Sequence, residues 1–365
     1  MLSVFCCCAR TGQTERKFTT SLRSLAFSLC SPFPLLISLN SVTITRLWCV
    51  NNTAEIASGG CLLAYTPSTL GVGGLTAVSV LRGVGKSRSF FSHNSAKNGG
   101  AIGSSNSHLK VEYADFESHS ALLMGGTVSA EDASAVLLRE CVIRDSSVGG
   151  ELPWGVTSAV RQGGAVSAVT GHLTLDSDVF HNSRVMPPGG MADCAKMYQS
   201  ATASTTDYRG GAVAISEGSF QSMSNTVFVS RACSGGYMYF TGRGELATIS
   251  DAFTDLHAYP AGGFVVVGAQ SLLAYFHEVT RCGAERAAGL WAVSSCQKMY
   301  VTDSTFTNVT VSDGEYVESA RAHTGTARAR TATAARYEAR AGLLILSLVG
   351  LRLDSTAVAV CCGRR

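Results

Sequence analysis

Gly163-Gly164-Ala165-Val166, then Leu173-x-Leu175, then Phe180 and Asn182, is the stretch from which the rest of the chain can be read. A glycine pair is followed by apolar residues, an alternating segment, an aromatic anchor and a polar residue. Apolar residues two apart share one face of a strand, and the residue between them faces the other way. A glycine pair suits a bend where φ is positive or where two backbones approach closely. The stretch therefore describes a short strand, a turn, an alternating strand and a second turn closed by the anchor.

The same order recurs along the chain. Glycine pairs stand at Gly59-Gly60, Gly99-Gly100, Gly125-Gly126, Gly163-Gly164, Gly210-Gly211, Gly235-Gly236 and Gly262-Gly263, with a degenerate Ala288-Gly289 last. Between second glycines the steps are 40, 26, 38, 47, 25, 27 and 26 residues, so four are one unit and three carry an insertion. The second half of the unit recurs as Val42, Ile44, Cys49 and Asn51, as Leu109, Val111, Phe116 and Ser118, and as Val136, Leu138, Ile143 and Asp145. It returns as Met299, Val301, Phe306 and Asn308, while the units at Phe228, Phe253 and Val279 keep the anchor and blur the alternation.

Self-similarity at a fixed period of this length marks a solenoid, in which each unit needs its neighbours to bury its face. Units too short for a crossover helix predict an all-β parallel β-helix of about eight coils, stacked about 4.8 Å apart. A glycine-rich sandwich or propeller shares some of these signals, but propeller blades need a longer period. Phe90 or Phe91, Phe116, Phe180, Phe228, Phe253 and Phe306 are expected to form an internal aromatic column. The polar residues two positions after each anchor are expected to form a hydrogen-bonded ladder along the rod.

Residues 1–41 read as a leader or cap, 42–318 as the repeat domain, and 319–365 as a low-complexity Ala/Arg/Thr tail with a short apolar run. Insertions are placed near 66–90, 147–161 and 184–208. The apolar run Leu25 to Leu39 follows basic residues in the manner of a signal sequence, or else forms an imperfect first coil. With 46% hydrophobic and 15% charged residues the chain buries a core, and it does not have the composition of a disordered one. The formal charge of +3 arises from the arginine-rich tail, so nothing in the repeat body argues for nucleic acid. Membrane association is left open. The 13 cysteines show no CxxC pair or zinc spacing and read mostly as small core residues, with disulfides available if the chain is secreted. Asn51-Asn52-Thr53 and Asn308-Val309-Thr310 are N-glycosylation acceptor sequences whose asparagines fall on the expected ladder, which would compete with modification.

The stretch Phe91-x-x-Asn94 followed by Gly99-Gly100-Ala101-Ile102 resembles the FxxN/GGAI repeat of polymorphic outer-membrane proteins, bacterial autotransported adhesins. Cys49-x-x-Asn52 before Gly59-Gly60 repeats it without the aromatic, and in Phe180-His181-Asn182 the asparagine stands one position early. The resemblance covers roughly residues 42–312 and extends to the pectin-lyase-like superfamily. It implies a right-handed β-helix, often at a cell surface. No run of alternating strands of barrel length follows Glu318.

The superfamily resembled includes polysaccharide lyases and hydrolases, whose chemistry would rest on clustered acids. Asp176 and Asp178 are expected on one face of a strand, a spacing that would share Ca2+, with Ser224 and Thr226 at the matching positions of the next coil. Ordinary solvated acids fit the same residues. The paired carboxylates, nucleophile elbow and phosphate loop of common enzyme classes are missing from the sequence. Trp154 and Tyr198, in insertions, are candidates to stack on sugar rings or engage a cell-surface protein, or to cover the rod's flank. The reading is therefore a non-catalytic secreted or cell-surface rod, adhesive, structural or carbohydrate-binding, without catalytic residues or a required cofactor. A Ca2+-dependent lyase or a glycoside hydrolase on the same scaffold is the alternative.

Overall fold

The computed structural model describes residues 27–29, 35–37, 41–66, 76–81, 87–149, 160–199 and 208–284 with short breaks, then strand segments from Trp291 to Leu346. Its strands fall into three sheets, one of 18 strands and two of 10. Pairing among the described strands is parallel, except where Glu315–Ala322 and Gly325–Arg328 run antiparallel to Ser304–Val311 and Lys298–Thr302. Parallel strands in stacked sheets, each strand paired with its counterpart one unit away, give the chain the form of a β-helix-like solenoid.

Each unit contributes to the sheets in turn. The strand after the glycines enters the first sheet, as Val166–Val169 does between Val128–Glu131 and Val213–Ser216. The alternating strand enters the second, as His172–Asp176 does between Ala135–Arg139 and Ser219–Met223. The anchor strand enters the third. Inward residues such as Val166, Ala168, Leu173, Leu175 and Phe180 join one continuous buried core.

Anchor register runs Cys49, Phe91, Phe116, Ile143, Phe180, Val227, Phe253, Val279 and Phe306. Phe91 and Phe116 stack with centroids 4.6 Å apart. Phe228 is corrected out of this column. Val227 takes the buried place, and Phe228, 39% exposed, faces outward beside His181. Phe90 also faces outward, against Trp48, which is 48% exposed.

The two glycines of a pair have separate reasons. The first carries a positive φ, +67° at Gly163 and +66° at Gly210. The second meets the next unit: a Cβ on Gly164 would lie 1.9 Å from the Gly211 carbonyl oxygen. The bends on either side of the anchor turn on single left-handed residues without glycine. Tyr113, Glu140, Ser177, Ser224 and Ser250 stand three before an anchor, and Asn51, His93, Ser118, Asp145, Asn182, Val229 and Asp255 two after.

The expected polar ladder is accordingly shifted by one residue. Positions two after the anchor are the bends themselves. Buried polar residues stand at the third, Asn52, Asn94, His119, Ser146, Ser183 and Ser230. Side-chain bonds link the first three of them along the rod, whereas the Ser183 and Ser230 hydroxyls have no partner among the described residues. Asn182 is therefore a bend residue and Ser183 the buried one.

Val229 is the misfit among the bends, because a β-branched side chain disfavours φ near its +55°. Left-handed backbone costs an ordinary residue roughly 1–2 kcal/mol, which asparagine largely escapes. Val229→Asn is expected to stabilise the chain by about 1 kcal/mol in denaturant titrations. An unchanged or lower midpoint would argue against the strain.

Candidate functional site

Asp176 and Asp178 are separated by a corner. Ser177 lies between them at φ +59°, which reverses the alternation of a strand. Asp176 consequently faces outward and Asp178 is fully buried. The expectation that both share one face is corrected, and they do not converge on a common cation. Their matching residues are also shifted, since Asp176 pairs with Met223 and Asp178 contacts Asn225.

On the outer face of the second sheet, Asp176 accepts from Arg139 Nε at 2.7 Å, and Arg139 Nη1 lies 3.4 Å from Glu112. Lys110 reaches the same Glu112 oxygen at 3.0 Å. Asp176 raises the Arg139 pKa by its hydrogen bond and its charge. This row borders a shallow groove of about 240 Å3 that includes His108, Lys110, His172 and Thr174. A wider trench of about 890 Å3 follows the neighbouring corner, with Glu217, Arg243, Glu245 and Gln270 beside stacked glycines. Among the described residues, no group of three or more His, Cys, Asp or Glu side chains is placed to hold a metal ion.

The strongly perturbed ionisable groups lie inside. After the left-handed Glu140, Ser177 and Ser224, the next backbone N–H points inward and meets a side chain of the following unit, as the Leu47 N–H also does. Leu47 N–H donates to Ser89 Oγ (3.0 Å), Cys141 N–H to Asp178 Oδ1 (2.7 Å), Asp178 N–H to Asn225 Oδ1 (2.7 Å) and Asn225 N–H to Asp251 Oδ1 (2.8 Å). The ladder three after the anchor works alike: Asn52 N–H donates to Asn94 Oδ1 (3.0 Å) and Asn94 N–H to His119 Nδ1 (3.2 Å). Ser222 Oγ donates to Asp251 Oδ2 at 2.6 Å, and Thr248 Oγ1 lies 2.9 Å from His277 Nε2.

Burial sets the protonation of these groups, since a low-dielectric interior disfavours the charged form. It pushes Asp178 up to about 8 and Asp251 up to about 6. It brings His119 down to about 3 and His277 down to about 4. The Cys141 thiol and Tyr237 hydroxyl are pushed up as well. Perturbed groups often mark catalytic sites, but ion and hydrogen-bond networks shift pKa values too. Here each acid caps a backbone donor.

Trp154 lies outside the described residues. Tyr198 belongs to helix α1 (Met191–Gln199), in the insertion that returns to the rod. A disulfide joins Cys194 of α1 to Cys233, within a second buried cluster containing Ala121, Val148, Val185, Tyr208 and Ala232. Arg161 donates to Tyr208 Oη at the edge of that cluster and lies over its ring. A second disulfide, Cys49–Cys61, links an anchor to the residue after a glycine pair. Sequence reasoning missed the buried histidines and the exposed Trp48–Phe90 pair. The second was findable, since Trp48 precedes an anchor directly and so must face outward. No family model, curated protein or solved structure matches the chain.

Proposed function

We propose that the chain is a non-catalytic rod, secreted or displayed at a cell surface, which serves an adhesive, structural or carbohydrate-binding role. On this reading it is a right-handed, pectin-lyase-like β-helix of about eight coils. One observation carries the proposal: the buried acids Asp178 and Asp251 and the buried His119 each accept a backbone N–H of the neighbouring unit. The outer faces of the described residues carry an ion-pair row, shallow grooves and outward-facing aromatic pairs, a surface suited to contact. The two disulfides support an oxidising compartment, because such bonds rarely persist in a reducing cytosol.

Peptide mapping without reductant is expected to recover Cys49 linked to Cys61 and Cys194 linked to Cys233. Cys141, buried and unpaired, is expected to alkylate only after unfolding. Recovery of all these cysteines as thiols from native material would count against secretion. A glycan array run beside a polysaccharide-cleavage assay tests the function itself. Retention without cleavage is the expected result, and Ca2+-dependent cleavage would overturn the non-catalytic reading.

A further inference from the structure

Asn51 and Asn52 are adjacent, and the corner sends them in opposite directions. Asn52 is wholly buried, and its Nδ2 donates to Asn94 Oδ1 at 2.9 Å and to the Val50 carbonyl at 3.2 Å. Asn51 is the bend residue, with φ +56°, and it is exposed. Its backbone N–H is held by the Ser92 carbonyl at 3.0 Å, so the bend is fixed while the side chain stays outside. The expected competition between ladder and modification is thereby removed, because the ladder uses the other asparagine.

From this we infer that Asn51 is an N-glycosylation site. Asn51-Asn52-Thr53 satisfies the acceptor rule, and Asn51 supplies the reacting carboxamide. Thr53 is also exposed, with Oγ1 engaged only at the surface by Ser95 Oγ at 3.1 Å. The corresponding bends at His93, Ser118 and Asp145 form an outer ridge that leads away from Asn51 along the rod. A glycan attached here leaves the core untouched. Asn182 occupies the same kind of bend, but Arg184 stands where the acceptor rule requires Ser or Thr.

The co-reactant is a lipid-linked pyrophosphoryl oligosaccharide. A bond forms between Asn51 Nδ2 and the anomeric carbon, and the bond from that carbon to the pyrophosphate oxygen breaks. The lipid pyrophosphate leaves, and one Nδ2 proton passes to the transferase's base. No electrons change hands. The site rests on the secretory reading above, since the transferase works on chains entering that pathway.

The test is the full chain passed through a eukaryotic secretory pathway and mapped by mass spectrometry for Asn51 and for the Cys194–Cys233 linkage together. A glycopeptide at Asn51 is expected, with its gel shift lost on amidase treatment, which leaves aspartate at the position. Thr53→Ala is expected to abolish the Asn51 glycopeptide and Thr53→Ser to retain it. A chain with the disulfide formed and Asn51 unmodified would overturn the site and leave the secretory reading standing. A chain with neither would overturn both.

Discussion

Gly164→Ala is expected to destabilise the folded chain by at least about 4 kcal/mol, a loss seen only where a specific mechanism is broken. The mechanism is not backbone conformation, because Gly163 takes the left-handed φ of the pair. A methyl group on Gly164 would lie 1.9 Å from the Gly211 carbonyl oxygen and 2.6 Å from the Arg184 nitrogen. Both obstacles are main chain, and neither can rotate aside as a side chain does. The units would have to separate, straining the hydrogen bond from Gly164 N–H to the Gly210 carbonyl, now 3.0 Å. Gly60, Gly100, Gly126 and Gly211 face the next unit at 2.0 to 2.3 Å, so the clash belongs to the repeat. Gly190→Ala is the comparator. Its φ is +67°, yet the nearest atom to a new Cβ is Met186 Cε at 4.0 Å. That change should cost about 1 kcal/mol, the left-handed penalty alone. Similar losses for the two variants in denaturant unfolding would refute the close-approach argument.

How much was legible follows from what carries the period. The parallel solenoid, the glycine corner and most of the anchor column were readable because each repeats at a fixed offset and each has one dominant physical cause. The bends beside the anchor were not. A left-handed residue there is Tyr113, Glu140, Ser177 or Ser224, and no composition marks it. Parity read straight through Ser177 placed Asp178 outside, and the same unseen corners shifted the ladder by one residue. The blurred alternation before Val227 and Phe253 has a related cause. Inward positions there are Ser222 and Thr248, polar because they bond Asp251 and His277. What looked like decay of the repeat is a polar patch in its core. The insertions follow no period, so the disulfide from α1 to Cys233 had no sequence signal beyond two cysteines.

That polar patch should make stability depend on pH with a sign that identifies Asp178. Its pKa is about 8 in the folded chain against 3.8 for a free side chain, so the folded state holds a proton that the unfolded state has released. Stability must then fall as pH rises between those values, by up to about 1.4 kcal/mol per unit for one proton. Asp251 acts likewise up to about 6. His119 and His277, near 3 and 4 in the folded chain against 6.5, oppose them, since the unfolded state binds their protons first. From pH 4 to 6 the two acids nearly cancel His119 and His277, and His257, also lowered by burial, acts in the histidines' sense. Above about 6.5 Asp178 acts alone, and about 2 kcal/mol should be lost by pH 8. Asp178→Asn keeps an acceptor for Cys141 N–H and removes the ionisation. Its stability should stay level from pH 6.5 to 8 and rise with pH from 4 to 6, where the histidines are no longer balanced. Asp178→Ala leaves the Cys141 N–H buried without its partner, and at pH 5 should cost about 2–3 kcal/mol. At pH 8 that cost should shrink, because the wild-type chain is then carrying a buried charge. Denaturant titrations of the three proteins across this range decide the matter: a wild-type chain more stable at pH 8 than at 6.5, or an asparagine variant that still loses stability there, would place the buried proton elsewhere.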